Sequence, residues 1–249
     1  MRSETFKLSS VLGLVAVSSL MSGCGGDGVD SETLETEQLW IGTTFEAMGG
    51  GSTVVNVEIN EGGSSGANVR LGANERLEAS ANGLVVVLQE DEDAFDIDYE
   101  GRIDTDADAT ALTLSFFRAD GSVNSATRAT LPAPFTVLQP INDQAVRVGD
   151  LLNIQWSPAV SGGTIRLDTL AICSGFSRGE FRDVADNGNF IFNTGAIPGI
   201  NDPEIPRNND CRFTVTLTRD STGTVDPAFR AGGFVRAFQE RQVVMSLSF

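Results

Sequence analysis

Apolar and polar residues alternate along most of the chain from residue 40 onward. A period of two turns apolar side chains to one face of an extended strand, so the pattern predicts β structure. In Thr53-Val54-Val55-Asn56-Val57-Glu58-Ile59, the side chains of Val55, Val57 and Ile59 share a face. Further strands are expected at residues 68–71, 76–80, 84–90, 95–103 and 110–118. Turn signals separate them: Glu61 to Gly66, Gly72-Ala73-Asn74, Asn82-Gly83 and Asp120-Gly121. Asn82-Gly83 is the firmest hairpin cue, because a type I′ turn needs positive φ at both central residues. No window of about 11 residues carries a helical stripe. Short strands with turns at this spacing predict an antiparallel sandwich or barrel.

Pro132 and Pro134 cannot sit inside a central strand, so a domain boundary is expected there. Residues 40–131 then form an N-terminal β-sandwich and residues 132–249 a second one. In the second, Leu152, Ile154 and Trp156 alternate with Asn153 and Gln155, and Ser157-Pro158 follows. This segment resembles the opening strands of an immunoglobulin or fibronectin III-like sandwich, which implies an Ig-like fold and almost nothing about function. Later strands are expected at 189–192, 211–219, 233–239 and 242–249.

Composition narrows the chemistry. The chain has 249 residues, with 17 Lys plus Arg against 34 Asp plus Glu and no His. The acidic balance argues against nucleic acid, which needs a basic face. The sole lysine is Lys7, near the N-terminus. Without a His, and without a Lys in the body, His-dependent nucleophilic systems, His-ligated metals, Schiff bases and phosphate-loop lysines are excluded. Carboxylates alone remain for acid–base work.

Arg2 and Lys7 precede an apolar stretch from Leu8 to Leu20, followed by Leu20-Met21-Ser22-Gly23-Cys24. This run resembles a bacterial lipoprotein signal peptide, with Met21 where leucine is usual. The resemblance implies cleavage of residues 1–23 and acylation of Cys24, hence a membrane partner reached through a lipid anchor. Gly25 after the cysteine, in place of Asp, implies the outer membrane of the cell envelope. Residues 24–39 are Gly-rich and then acidic, and read as a flexible tether.

Cys173 and Cys211 are an even pair in an exported chain and are expected to form a structural disulfide. Closing that loop contributes about 4 kcal/mol on the chain-entropy model. The acids from Glu90 to Asp108 are the most site-like feature. Asp104-Thr105-Asp106-Ala107-Asp108 places three carboxylates in one short loop, the donor type Ca²⁺ prefers. Ala109 and Ser115 stand where an EF-hand has Gly and Glu, so it is not one. The alternative is two solvated hairpin loops; a Ca²⁺ site would need oxygens from the Glu90–Asp93 loop, at the far end of the intervening strand.

These readings converge on an all-β, lipid-anchored envelope protein that acts as a non-catalytic binding or structural module. The partner would be another envelope protein or a glycan. The alternative is a carboxylate-dependent hydrolase acting on envelope or extracellular polysaccharide, which needs two carboxylates facing across a cleft.

Overall fold

The structure is a computed structural model describing residues 28–92, 96–205 and 211–249. Cys24 and the signal segment lie outside the described residues, as does Asp93. The first ten strands are β1 (Val29–Asp30), β2 (Leu39–Ala47), β3 (Thr53–Glu61), β4 (Val69–Arg70), β5 (Arg76–Ala81), β6 (Leu84–Val87), β7 (Gln89–Glu92), β8 (Ile97–Ile103), β9 (Ala111–Phe117) and β10 (Val123–Thr130). The rest are β11 (Thr136–Gln139), β12 (Ala145–Arg147), β13 (Leu151–Ser157), β14 (Thr164–Cys173), β15 (Phe176–Ala185), β16 (Asn189–Asn193), β17 (Cys211–Thr222) and β18 (Gly233–Ser248).

One nine-stranded sheet runs through the molecule in the order β15-β14-β17-β18-β2-β3-β8-β7, with β12 also beside β18. β18 joins its two halves. Along one edge it pairs antiparallel with β17, from Cys211↔Leu247 to Thr222↔Arg236. Along the other edge its first half pairs parallel with β2 (Gly233↔Ile41 to Gln239↔Ala47) and its end with β12. A four-stranded sheet (β10-β9-β5-β6) and a three-stranded sheet (β11-β13-β16) form the second layers. The fold is therefore all-β, with two sandwiches built on one shared sheet.

The odd-numbered residues of β18 face both cores. Val235 and Ala237 pack into the first with Phe45, Val57, Leu114 and Phe116. Val243, Met245 and Leu247 pack into the second with Trp156, Phe192 and Phe213. Between them the same face carries Gln239 and Arg241, with Arg219 opposite on β17. These polar residues keep the two apolar clusters apart. Gln239 is fully buried and its Nε2 donates to the Asp106 carbonyl at 2.8 Å. Arg219 is 4% exposed and donates to Asp186 and to the Ala133 and Pro134 carbonyls of the linker.

Two expectations about domain limits are corrected. The 131/132 boundary separates the cores along the linker, with Leu131 in the first and Phe135 in the second. It does not separate the chain, because Phe229, Val235 and Ala237 return to the first core. The tether also ends sooner than residue 39. β1 pairs with β4, Ser31 is fully buried and Leu34 enters the first core. The acids that read as solvated are partly spent on capping: Asp30 accepts from the Glu32 amide at 2.9 Å, and Glu35 forms a capping box with Gln38. The Ser31 hydroxyl donates to the buried Glu75, which pairs with Arg118 at 2.8 Å. Arg118 in turn donates to the Ser31 and Leu34 carbonyls.

Asn82-Gly83 forms the expected turn, with φ of 50° and 81° and Ala81 facing Leu84. The run 84–90 instead divides into β6 and β7, which join different sheets. The two strands expected at 233–239 and 242–249 are one continuous strand, β18.

Candidate functional site

Both cores lie on one side of the long sheet, and its other side forms a broad open face. Its side chains are the even-numbered residues of β14, β17, β18, β2, β3 and β8 and the odd-numbered ones of β15 and β7, as the strand registers require. The backbone of the central strands is consumed by the ladders, so the face offers side chains alone.

In the half formed by β15, β14, β17 and β18, two adjoining grooves share Asp168. One, of about 370 Å³, is lined by Asp168, Leu170, Gly179, Phe181, Thr216 and Gln242, among others. The other, of about 260 Å³, is lined by Arg166, Asp168, Thr218, Arg236, Phe238 and Glu240. Gly179 faces Leu170 across the strand pair, where a Cβ would lie 2.5 Å from the Thr169 carbonyl oxygen, so the close approach of the two strands requires glycine. The Phe181 ring is 66% exposed, and the Arg166 guanidinium lies 4.2 Å from its centroid. Arg166 is fixed by Asp168, with Nε to Oδ2 at 2.9 Å and Nη2 to Oδ1 at 3.0 Å.

Across β18, Trp40 and Phe234 meet edge to face, with centroids 5.7 Å apart. They close over Gly42, where a Cβ would lie 2.8 Å from the indole and 3.0 Å from the Phe234 ring. A side chain at this position would force one of the two rings to move. Beyond it runs a row of carboxylates. Glu58, Asp98 and Asp91 stand opposite one another on β3, β8 and β7.

Charge crowding shifts several of these groups. Burial, with the charges of Asp96, Glu58, Glu100 and Asp91, pushes Asp98 up to about 6. Burial also raises Glu240, helped by Asp168 and opposed by a hydrogen bond from Thr218. Glu46 is raised by burial and by Glu240. On the grooved half Arg166 pairs with Asp168 and Arg236 with Asp220 at 2.7 Å; Arg212 is a third cation toward one end of β17, and across the whole face acids outnumber arginines. The face is thus net acidic.

The residues singled out in sequence fall elsewhere. Cys173 and Cys211 are joined by a disulfide, with Cα atoms 4.3 Å apart, at the end of β14 and the start of β17. The expected Ca²⁺ site at Asp104, Asp106 and Asp108 is not assembled. Among the described residues no group of three or more His, Cys, Asp or Glu is placed to hold a metal ion. Asp104 and Asp108 are exposed, whereas Asp106 accepts from the Gly51 amide at 3.1 Å. The acids that were to complete the shell form β7 instead of a loop and pair alongside Ile97 to Tyr99 of β8, about 13–20 Å from Ile103 at the usual rise. There Glu90 and Glu92 pair with Arg70, at 3.2 and 2.6 Å.

Of the aromatics outside the Phe set, Trp156 and Tyr99 are buried. The Trp156 indole donates to Asp186 at 2.7 Å, and the Tyr99 hydroxyl to the Val69 carbonyl at 3.0 Å. Trp40 remains for the face. Sequence reading missed Phe181, Phe238 and the Arg166–Asp168 pair. Each sits on the polar phase of an alternating strand, a signal that by itself reads only as a solvated side.

No family model and no curated protein matches the chain. Several solved structures are similar to it. Fibronectin(III)-like modules of Clostridium thermocellum CbhA share 14% identity at a TM-score of 0.24, over 84% of this chain and 94% of that one. A 1.5-MDa bacterial ice-binding adhesin, studied for host cell surface retention, shares 10% identity at 0.23, over 84% and 65%. SGBP-B of the Bacteroides ovatus mixed-linkage glucan utilization locus, solved with a mixed-linkage heptasaccharide, shares 12% identity at 0.21, over 89% and 66%. These likenesses extend to the all-β fold alone.

Proposed function

We propose that the protein is a non-catalytic binding module, anchored to the cell envelope through an acylated Cys24, that holds its partner on the open face of the long sheet. The observation that carries this reading is the pair of grooves on that face. An outward phenylalanine, 66% exposed and braced by a guanidinium, adds nothing to either core. Four chain steps separate Cys24 from Gly28 and span at most about 14 Å, so anchoring would hold the first sandwich close to the membrane surface.

The test uses Cys24→Ser protein added to envelopes stripped of the native protein. Wild-type sequence should rebind, whereas Thr216→Arg, which fills the groove floor without touching a core, should not. Equal rebinding would remove the face from the account.

One observation favours a hydrolase as the second reading. Asp168, paired with Arg166, and Glu240, raised by burial, line the same groove, as a carboxylate partner and an acid must. Release of reducing ends from polysaccharide, abolished by both Glu240→Gln and Asp168→Asn, would establish it.

A further inference from the structure

We infer that the ligand of the two grooves is a neutral oligosaccharide, lying across the strands with sugar faces against Phe181 and Phe238. The inference rests on the binding reading above and names its ligand class. Four features select that class.

The first is the alternation of ring and hydroxyl. Phe181 stands on β15 and Phe238 on β18, and between them the face presents Thr216, Thr218, Gln242 and Glu240. A pyranose has an apolar C–H face and a rim of hydroxyls that both donate and accept, so stacking and rim contacts are satisfied together. The second is rigidity. Arg166 backs the Phe181 ring and is itself held by two bonds to Asp168, so little side-chain freedom is lost when a ligand stacks.

The third feature is backbone. A peptide laid on this face would find no free amide or carbonyl in the central strands, whose ladders are complete, and its own amides would go unpaired. A neutral glycan has no backbone amides, and its hydroxyls can be met by side chains and water. The fourth is charge. Arg166 and Arg236 are each paired with a carboxylate, and Glu240 in the second groove and Asp183 opposite Arg166 add negative charge. A uronate, sulfate or phosphate polymer would meet repulsion. From β15 to β2 the face crosses four strand spacings, about 19 Å. The Trp40–Phe234 pair lies to one side of that crossing, because Phe234 stands four residues, about 13 Å, further along β18 than Phe238.

The experiment is affinity electrophoresis of the Cys24→Ser chain in native gels containing laminarin, mixed-linkage β-glucan, xyloglucan or dextran, with polygalacturonate as the anionic comparison. At least one neutral polymer should retard the protein. Phe181→Ala and Phe238→Ala should each weaken that retardation about tenfold, while Val85→Ala, on the opposite layer, leaves it unchanged. Circular dichroism and melting should match wild type, because both rings point outward. Retardation by polygalacturonate alone, by no polymer, or equally in both phenylalanine variants would overturn the inference. A glycan failure in which Thr216→Arg still blocks envelope rebinding would leave the open-face reading standing with a protein as partner. Reducing-end release would keep the ligand class and overturn the non-catalytic reading.

Discussion

Arg219 and Asp186 are joined by two hydrogen bonds inside the joint between the sandwiches, Nε to Oδ2 at 2.6 Å and Nη2 to Oδ1 at 2.9 Å. The Trp156 indole donates to the same carboxylate from the second core, while Arg219 also binds linker carbonyls. One ion pair thereby ties the linker to the second sandwich, on a strand paired with β18. Removing one partner strands a buried charge, at a cost of about 3–5 kcal/mol. Arg219→Met should lower the melting temperature by about 10 °C or more for a chain of this size. The double variant Arg219→Met, Asp186→Leu should recover part of that loss. A single variant that melts as wild type does would show that the pair holds nothing.

The same carboxylate sets an acid limit. Burial alone would raise Asp186, but bonds from Arg219 and Trp156, the Arg219 charge and the Val160 amide together hold it below its ordinary 3.8. A depressed folded value means that its contribution is complete above 3.8 and is lost as pH falls through the folded value. Asp186→Asn should destabilise at pH 7 and flatten the acid limb of a melting-temperature profile below about pH 4. An unchanged acid limb would refute this assignment.

Asp98 has the opposite sign. Its folded value of about 6 lies above its ordinary 3.8, so the stability it contributes is complete below 3.8 and is lost as pH rises to about 6. Above that, a charged Asp98 stands between Glu58 and Asp91. Asp98→Asn should raise the melting temperature by about 1–3 °C at pH 7.5 and leave it unchanged at pH 3.5. A gain of the same size at both values would mean that the effect is not charge.

The disulfide closes the loop from Cys173 to Cys211, a separation of 38 residues. On the chain-entropy model it contributes about 4 kcal/mol. Cys173→Ser with Cys211→Ser should melt about 8–16 °C lower. Alkylation before reduction should label neither residue, and afterwards both.

Much of the fold was legible because burial imposes alternation strand by strand: Val55, Val57 and Ile59 face inward as their spacing requires. β18 was misread as two strands because Gln239 and Arg241 break the apolar phase. They do so to line the joint, a reason visible only once both cores are placed. The open face was illegible for a related cause. Phe181, Thr216 and Gln242, spread over 61 residues of chain, come together through three successive antiparallel pairings, and Trp40 reaches Phe234 through the parallel pairing of β18 with β2. The Asp104–Asp108 cluster showed the converse, since proximity in sequence at one end of β8 did not bring other ligands to it.

Anchoring is tested at the N-terminus. Mass spectrometry of the native protein should find Cys24 first and acylated, and Cys24→Ser should release the chain or leave its leader uncleaved. A mature chain beginning elsewhere, without acyl groups, would contradict it.

The central claim, that the open face is where the partner sits, is tested most directly by photo-crosslinking in intact cells. One variant carries the crosslinker at Gln242, on the open face, and another at Val85, exposed on the opposite layer. The account expects adducts from position 242 and none from position 85. Adducts from position 85 with none from position 242 would contradict it.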